Sequence, residues 1–122
     1  MIDHVSLHVS NYETAKEFFS KALAPVGYAV IKDFPQWKAA GLGKDGKPDF
    51  WIGQKEPIGN NHVAIAADSR ADVDAFYAAA LAAGGKDNGA PGIRKDYHPS
   101  YYGAFVHDAD GNNIEVVCHK PE

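Results

Sequence analysis

The feature that most constrains the fold of this sequence is an internal repeat. When the chain is shifted by 58 positions, His4-Val5 falls on His62-Val63 and Phe18-Phe19 falls on Phe76-Tyr77, and no gap is needed. A repeat of this length is one supersecondary unit used twice, and each unit buries its apolar face only against its copy. The repeat therefore determines the architecture before any propensity is considered.

The two copies agree again further along the chain, at an offset of 65. Here Asp45-Gly46 falls on Asp110-Gly111, and Phe50 falls on Glu115. The second copy is longer, and its additional residues lie between Gly85 and Asp110. This alignment makes Phe50 the expected counterpart of Glu115.

Hydrophobic periodicity gives the order of elements within each copy. Residues 3–10 alternate strictly between polar and apolar, which is typical of a half-buried strand. Residues 11–23 carry apolar side chains at helical spacing, and three shorter strand-like segments follow. The prediction is an α+β fold of two tandem βαβββ modules that form one curved eight-stranded mixed sheet around a cavity. Module one spans about 1–55, a linker covers 56–60, and module two spans about 61–120.

The composition of the chain indicates its domain number and excludes several kinds of partner. A chain of 122 residues suits a single domain. Its formal net charge is −4 with no basic run, so nucleic acid is not an expected partner. No apolar stretch reaches membrane-spanning length, and Cys118 is the single cysteine. These features predict a cytoplasmic protein without an intrachain disulfide or a membrane partner.

The repeat brings three potential metal ligands to one cavity. In the first strand the apolar side chains belong under the helix, so His4 and His8 face the open side, and His62 occupies the place of His4 in the copy. Glu115 lies between Ile114 and Val116 and should face the same cavity. Two imidazoles and one carboxylate with open positions suit a divalent iron, manganese, nickel, cobalt or zinc ion.

His4 and His8 do not serve the same ion. Four residues apart on a strand, they are separated by about 13 Å, which leaves His8 as a residue that contacts a bound ligand. A lone histidine at a strand end is more often a solvated residue than a metal ligand. The repeat relation and the glutamate within an apolar run favour the metal interpretation here.

These residues resemble those of the vicinal oxygen chelate superfamily, which includes glyoxalase I, extradiol dioxygenases, fosfomycin-resistance transferases and bleomycin-resistance proteins. The resemblance is carried by the segments I-D-H-V-S-L-H-V and N-H-V-A-I with their following helices, and by A-F-V-H-D-A-D-G-N-N-I-E, residues 104–115. It implies one divalent metal ion per chain, bound by His4, His62 and Glu115. Glyoxalase I has a fourth ligand, a glutamate, where the repeat alignment puts Phe50.

The segment 96–102, which has no counterpart in module one, resembles a stretch of small glyoxalase-like bacterial proteins. If residues 108–111 form a four-residue hairpin loop, Ala104 lies opposite Glu115, so Tyr102 faces the cavity and Tyr101 faces away. Packing of these aromatic residues at the mouth of a loop is the structural alternative. The residues expected to contact substrate are Ser6, His8, Phe50, Tyr97, His98 and Tyr102.

Two functions follow from this reading. The first is a small metalloenzyme, of the lyase, isomerase or dioxygenase type, that chelates adjacent oxygens of a small carbonyl or hydroxy-carbonyl substrate. The second is a metal-independent protein that sequesters an aromatic or peptide antibiotic in an aromatic cleft containing Trp37 and Trp51. Exposed sheet edges predict a homodimer, and the ligands come from either one chain or two. No general acid or base is assigned from the sequence.

Overall fold

A computed structural model describes residues 1–121 of the chain. The elements of the first module are β1 (Val5–Val9), α1 (Tyr12–Ala22), β2 (Ala29–Phe34), β3 (Ala39–Lys44) and β4 (Lys47–Gln54). Those of the second are β5 (His62–Ala66), α2 (Arg70–Ala82), β6 (Lys86–Ile93), β7 (Tyr102–His107) and β8 (Asn113–Cys118). Short 3₁₀ turns cover Ala24–Val26 and Pro35–Trp37.

The predicted α+β fold of two βαβββ modules is confirmed, with one difference in the sheets. The strands form two four-stranded sheets in the orders β1-β4-β3-β2 and β5-β8-β7-β6, rather than one eight-stranded sheet. Within the chain α2 packs against α1 and against the 3₁₀ turn Ala24–Val26, and the backbone N–H of Ser10 donates to the Asp110 side chain. β1 and β5 each lie at a sheet edge without a partner strand among the described residues.

Each module begins with a strand followed by a capped helix, and the first strand pairs in parallel with the last strand of the module. The Asn11 side chain accepts a hydrogen bond from the backbone of Thr14, and the Ser69 side chain accepts one from Asp72, which fixes the starts of α1 and α2. The apolar face of β1 lies under the helices: Leu7 and Val9 are buried.

Phe50 belongs to the core, which corrects the expectation that it faces the cavity. It is 2% exposed, and its ring contacts Phe19 with centroids 5.0 Å apart. The reason is a β-bulge where β3 pairs with β4, between Leu42 and Gly43, which takes up one residue and reverses the faces of β4 beyond it. Because Ser6 pairs with Trp51 as Ala64 pairs with Glu115, Trp51 is the true counterpart of Glu115.

The predicted register of β7 against β8 is also wrong by one residue. Phe105, and not Ala104, lies opposite Glu115, because the connecting loop has five residues, 108–112, instead of four. The faces of β7 are therefore exchanged relative to the prediction. Tyr102 lies on the helix side, where its hydroxyl donates to Asp74 of α2 at 2.6 Å, and Tyr101 takes the cavity side.

The side chains of Asp108 and Asn112 hold this five-residue loop closed. The buried Asp108 carboxylate accepts hydrogen bonds from the backbone of Asp110 and from the backbone and side chain of Asn112, at 2.8–3.0 Å. Asn112 is fully buried, and its side-chain oxygen accepts from the backbone of Asn61 at 3.1 Å. Through this hydrogen bond the loop is attached to Asn61, at the start of the second module. Within residues 1–121 no helix combines the length and apolar character needed to span a membrane.

We predict that Asp108→Ala destabilises the protein by about 2 kcal/mol, since it leaves the buried donors of Asn112 without an acceptor. Chemical denaturation of the variant measures the change in the free energy of unfolding. Asp96→Ala, which removes an exposed carboxylate, is the control and should change stability by less than about 0.5 kcal/mol. Equal effects of the two substitutions would contradict this account of the loop.

Candidate functional site

The second module contributes a histidine and a carboxylate that are in direct contact. Nε2 of His62 lies 2.8 Å from Oε1 of Glu115, although the two residues belong to different strands. The Glu115 side chain is 2% exposed, whereas that of His62 is 53% exposed. A buried carboxylate is unfavourable without a hydrogen-bonding partner, and this contact supplies one.

Tyr101 is hydrogen-bonded to the other oxygen of the Glu115 carboxylate. Its hydroxyl donates a hydrogen bond to Oε2 of Glu115. Burial, followed by the hydrogen bond to the Glu115 carboxylate, raises the pKa of the Tyr101 phenol above its ordinary value. The phenol is therefore a donor throughout the physiological range of pH.

The ring of Tyr101 is surrounded by three further rings. Its centroid lies 4.8 Å from that of Tyr97, 5.4 Å from that of His98 and 5.2 Å from that of His119, all in edge-on contacts. The backbone N–H of Ser100 donates to Nδ1 of His98, so the proton of a neutral His98 ring lies on Nε2. That nitrogen is 2.7 Å from Nδ1 of His119 and donates to it.

The first module presents His4 in an orientation that suits a metal ligand. Nδ1 of His4 lies 2.8 Å from Oδ1 of Asp3. The other carboxylate oxygen of Asp3 accepts a hydrogen bond from Lys47. The hydrogen bond from His4, together with Lys47, lowers the pKa of Asp3. A carboxylate on Nδ1–H leaves Nε2 of the imidazole unprotonated and available for coordination.

The remaining residues predicted on the open side of β1 lie there as well. Ser6 is exposed, and His8 is half-buried with Nδ1 donating to the carbonyl oxygen of Pro57 at 3.1 Å. Together with His4, they line a crevice that also includes Trp37 and Trp51. This crevice has a volume of about 320 Å³.

Aromatic side chains form the floor of this crevice. Trp51 is stacked parallel to Phe34, with ring centroids 6.2 Å apart, and the Trp37 ring lies 5.1 Å from Phe34. The indole of Trp51 lies across Gly41, where an added Cβ would come within 2.8 Å of it. Trp37 is 70% exposed. The first module therefore offers a flat apolar surface next to His4.

The three predicted metal ligands do not meet within one chain. Among residues 1–121, no three His, Cys, Asp or Glu side chains gather at a point that could hold a metal ion. The structure brings together His62 and Glu115 and leaves His4 with the other sheet. His4 and residues 63–66 of β5 border one crevice, but the edge strands β1 and β5 are not paired with each other.

Tyr101, His119 and Asp3 are site residues that the sequence did not identify. Asp3 directly precedes His4, and this adjacency is a usable signal for a carboxylate that orients a histidine. The position of Tyr101 depends on the length of the loop 108–112, which the spacing of turn residues does not fix. His119 follows the end of β8, and its ring contacts those of His98 and Tyr101.

Comparison with known proteins identifies the family and the fold. The sequence model of the Glyoxalase/Bleomycin resistance protein/Dioxygenase superfamily matches residues 1–116. The chain belongs to this superfamily. It is 28% identical to the uncharacterized protein YqjT of Bacillus subtilis, over 94% of this chain and 96% of that protein.

Solved structures of the superfamily have the same fold. A glyoxalase/bleomycin resistance protein from Albidiferax ferrireducens is 26% identical, with a TM-score of 0.81 and 98% coverage of both chains. A glyoxalase I mutant from Zea mays is 23% identical with a TM-score of 0.71; the match covers 95% of this chain and 46% of the maize chain. The superfamily thus includes enzymes such as glyoxalase I, and the maize likeness concerns the fold alone.

We predict that Gly41→Ala displaces the Trp51 indole, because the new methyl group would overlap it. In a Trp37→Phe background, where Trp51 is the single tryptophan, its fluorescence maximum should shift toward that of an exposed indole. Gly53→Ala is the matched control, since nothing lies within 4 Å of a Cβ at that position. Identical spectra for the two variants would argue against close packing of Trp51 on Gly41.

Proposed function

We propose that the protein is a divalent-metal-dependent, glyoxalase-like enzyme that chelates two adjacent oxygens of a small carbonyl or hydroxy-carbonyl substrate. The observation that carries the proposal is the contact between His62 and the buried Glu115 carboxylate. This pair has the chemistry of a first-row metal site, and it lies in a fold that superfamily enzymes share.

The donor atoms fit a divalent ion. Two ligand atoms about 2.1 Å from an ion, at a right angle to each other, lie roughly 3 Å apart. The separation of Nε2 of His62 from Oε1 of Glu115 is 2.8 Å, so little movement is needed for both to bind one ion. His4, oriented by Asp3, supplies a third donor of the required kind.

The third ligand is proposed to come from a second copy of the chain. If β1 of one chain lies beside β5 of another, His4 of the first approaches His62 and Glu115 of the second. Two-fold symmetry repeats the contact and gives two identical sites. The same pairing covers both free sheet edges, which otherwise remain open to association.

A bound divalent ion would act as a Lewis acid that stabilises negative charge developing on the two substrate oxygens. The protein's own residues would orient the substrate. Ser6 and His8 offer hydrogen-bonding groups beside His4, while Trp51 offers an apolar surface. Tyr97 and His98, on the segment that follows β6, would reach the same space from the other half of the site.

Mixed dimers test whether two chains share one site. His4→Ala and Glu115→Ala homodimers should each lose bound metal, as should His62→Ala, because each lacks a ligand at both sites. A heterodimer of the His4→Ala and Glu115→Ala chains retains one intact site. We predict about one metal ion per heterodimer, measured by elemental analysis after purification through two different affinity tags.

The outcomes of this experiment separate the alternatives. No metal in the heterodimer, with metal in the parent protein, would show that one chain supplies all three ligands. Stoichiometric metal in the Glu115→Ala homodimer would contradict the assignment of that residue. A parent protein without metal after growth in metal-supplemented medium would contradict the metalloenzyme proposal.

A fourth ligand can be introduced at the counterpart of Glu115. We predict that Trp51→Glu slows release of metal to a chelator relative to Trp51→Gln, which has nearly the same shape without the charge. The added carboxylate would face the ion from the position that the pairing register makes equivalent to Glu115. Equal release rates in the two folded variants would show that residue 51 does not approach the metal.

One observation favours a second function, a metal-independent binding protein. Phe34, Trp37 and Trp51 form a continuous aromatic surface, and Trp37 is 70% exposed. Such a surface suits an aromatic antibiotic, and Glu115 already has partners in His62 and Tyr101 without an ion. Binding of an aromatic compound that is unaffected by chelator treatment would support this alternative.

A further inference from the structure

We propose that Tyr101 is a positioning residue for Glu115: it holds Oε2 of the carboxylate, so that Oε1 stays directed at His62. The inference rests on the proposed function, in which Oε1 and Nε2 of His62 are metal ligands. It assigns a role to the segment between β6 and β7, residues 94–101, which is longer than its counterpart in the first module, residues 35–38.

The first support is the division of the carboxylate oxygens between two partners. The Tyr101 hydroxyl donates to Oε2, and Nε2 of His62 faces Oε1 at 2.8 Å. The Glu115 side chain is 2% exposed, so water does not replace either partner freely. With Oε2 held, the carboxylate is restricted to binding through one oxygen.

The second support is the space that Gly103 leaves. A Cβ at this position of β7 would lie 3.2 Å from Cε1 of Tyr101 and 3.4 Å from Oε2 of Glu115. Both distances are at or below ordinary contact, so a side chain here would press on the two groups that form the hydrogen bond. Glycine allows the phenol to cross β7 and reach the carboxylate.

The third support is the restraint on the Tyr101 ring itself. Tyr97, His98 and His119 contact it from three sides, and the hydrogen bond between His98 and His119 links the segment to the end of β8. A tyrosine held in this way has little freedom to leave Glu115. The segment therefore acts on the carboxylate through Tyr101, and His98 and His119 act by holding Tyr101.

The test compares Tyr101→Phe with Tyr102→Phe. The two variants each lose one phenol hydroxyl from adjacent positions, but Tyr102 bonds to Asp74 on the helix side of the sheet. We expect Tyr101→Phe to weaken Co²⁺ binding by about 10- to 100-fold and to alter the visible absorption of bound Co²⁺, since the coordination of Glu115 changes. Tyr102→Phe should leave both unchanged.

A second measurement on metal-free protein makes the test independent of the metal. In ¹⁵N-histidine-labelled protein, the ring nitrogen signals of His62 should shift in Tyr101→Phe, because its carboxylate partner is no longer held, and not in Tyr102→Phe. Thermal unfolding of both variants shows whether the fold is retained.

The outcomes distinguish this inference from the proposed function. A parent protein that binds no Co²⁺ overturns the metal proposal, and the His62 signals then decide the role of Tyr101 alone. Unchanged Co²⁺ affinity and unchanged His62 signals in Tyr101→Phe overturn the positioning role. An equal loss in both variants also overturns it, because the effect would then be a general loss of packing.

Discussion

The parallel pairing of the first and last strands within each module is the constraint on which the site depends. This pairing puts the first and second strands of each module parallel to each other at opposite edges of the sheet, so the helix that connects them crosses the sheet and covers one face. The other face is left open, and the first-strand histidine lies on it beside the last strand. This is how His62 reaches Glu115 across 53 positions of sequence.

The cost of burying Glu115 shapes the rest of that half of the site. A carboxylate that is nearly inaccessible to water requires hydrogen bonds or positive charge nearby. Tyr101 provides a neutral donor to one carboxylate oxygen, and the imidazole of His62 contacts the other. The same two contacts that compensate for the burial of the carboxylate also fix its orientation.

The sequence predicted the parts of the fold that depend on periodicity and repetition. The alternation of residues 3–10 and the repeat at 58 positions correctly gave the module order, the covered face of β1 and the open face that carries His4 and His62. The prediction failed at the two places where the register of a strand depends on one residue more or less in a bulge or a loop. Because of a bulge in β4, Trp51 and not Phe50 lies at the position equivalent to Glu115. Because the loop 108–112 has five residues, Tyr101 and not Tyr102 lies on the cavity side. In both cases a shift of one residue moves every following side chain to the other face of the strand.

The repeat also explains why the two halves of the site differ. Both modules offer the same position on the last strand, but one holds a carboxylate and the other holds an indole that lies over Gly41. In the proposed metal site, a carboxylate in both modules would place two negative charges near one ion, whereas Trp51 would leave that side of the ion open and apolar. In the proposed two-fold arrangement each site would combine the His62–Glu115 pair of one chain with His4 and the aromatic surface at Trp51 of the other. Under the proposed function, the divergence of the copies at this position would therefore give one module the carboxylate ligand and the other the apolar surface beside the substrate.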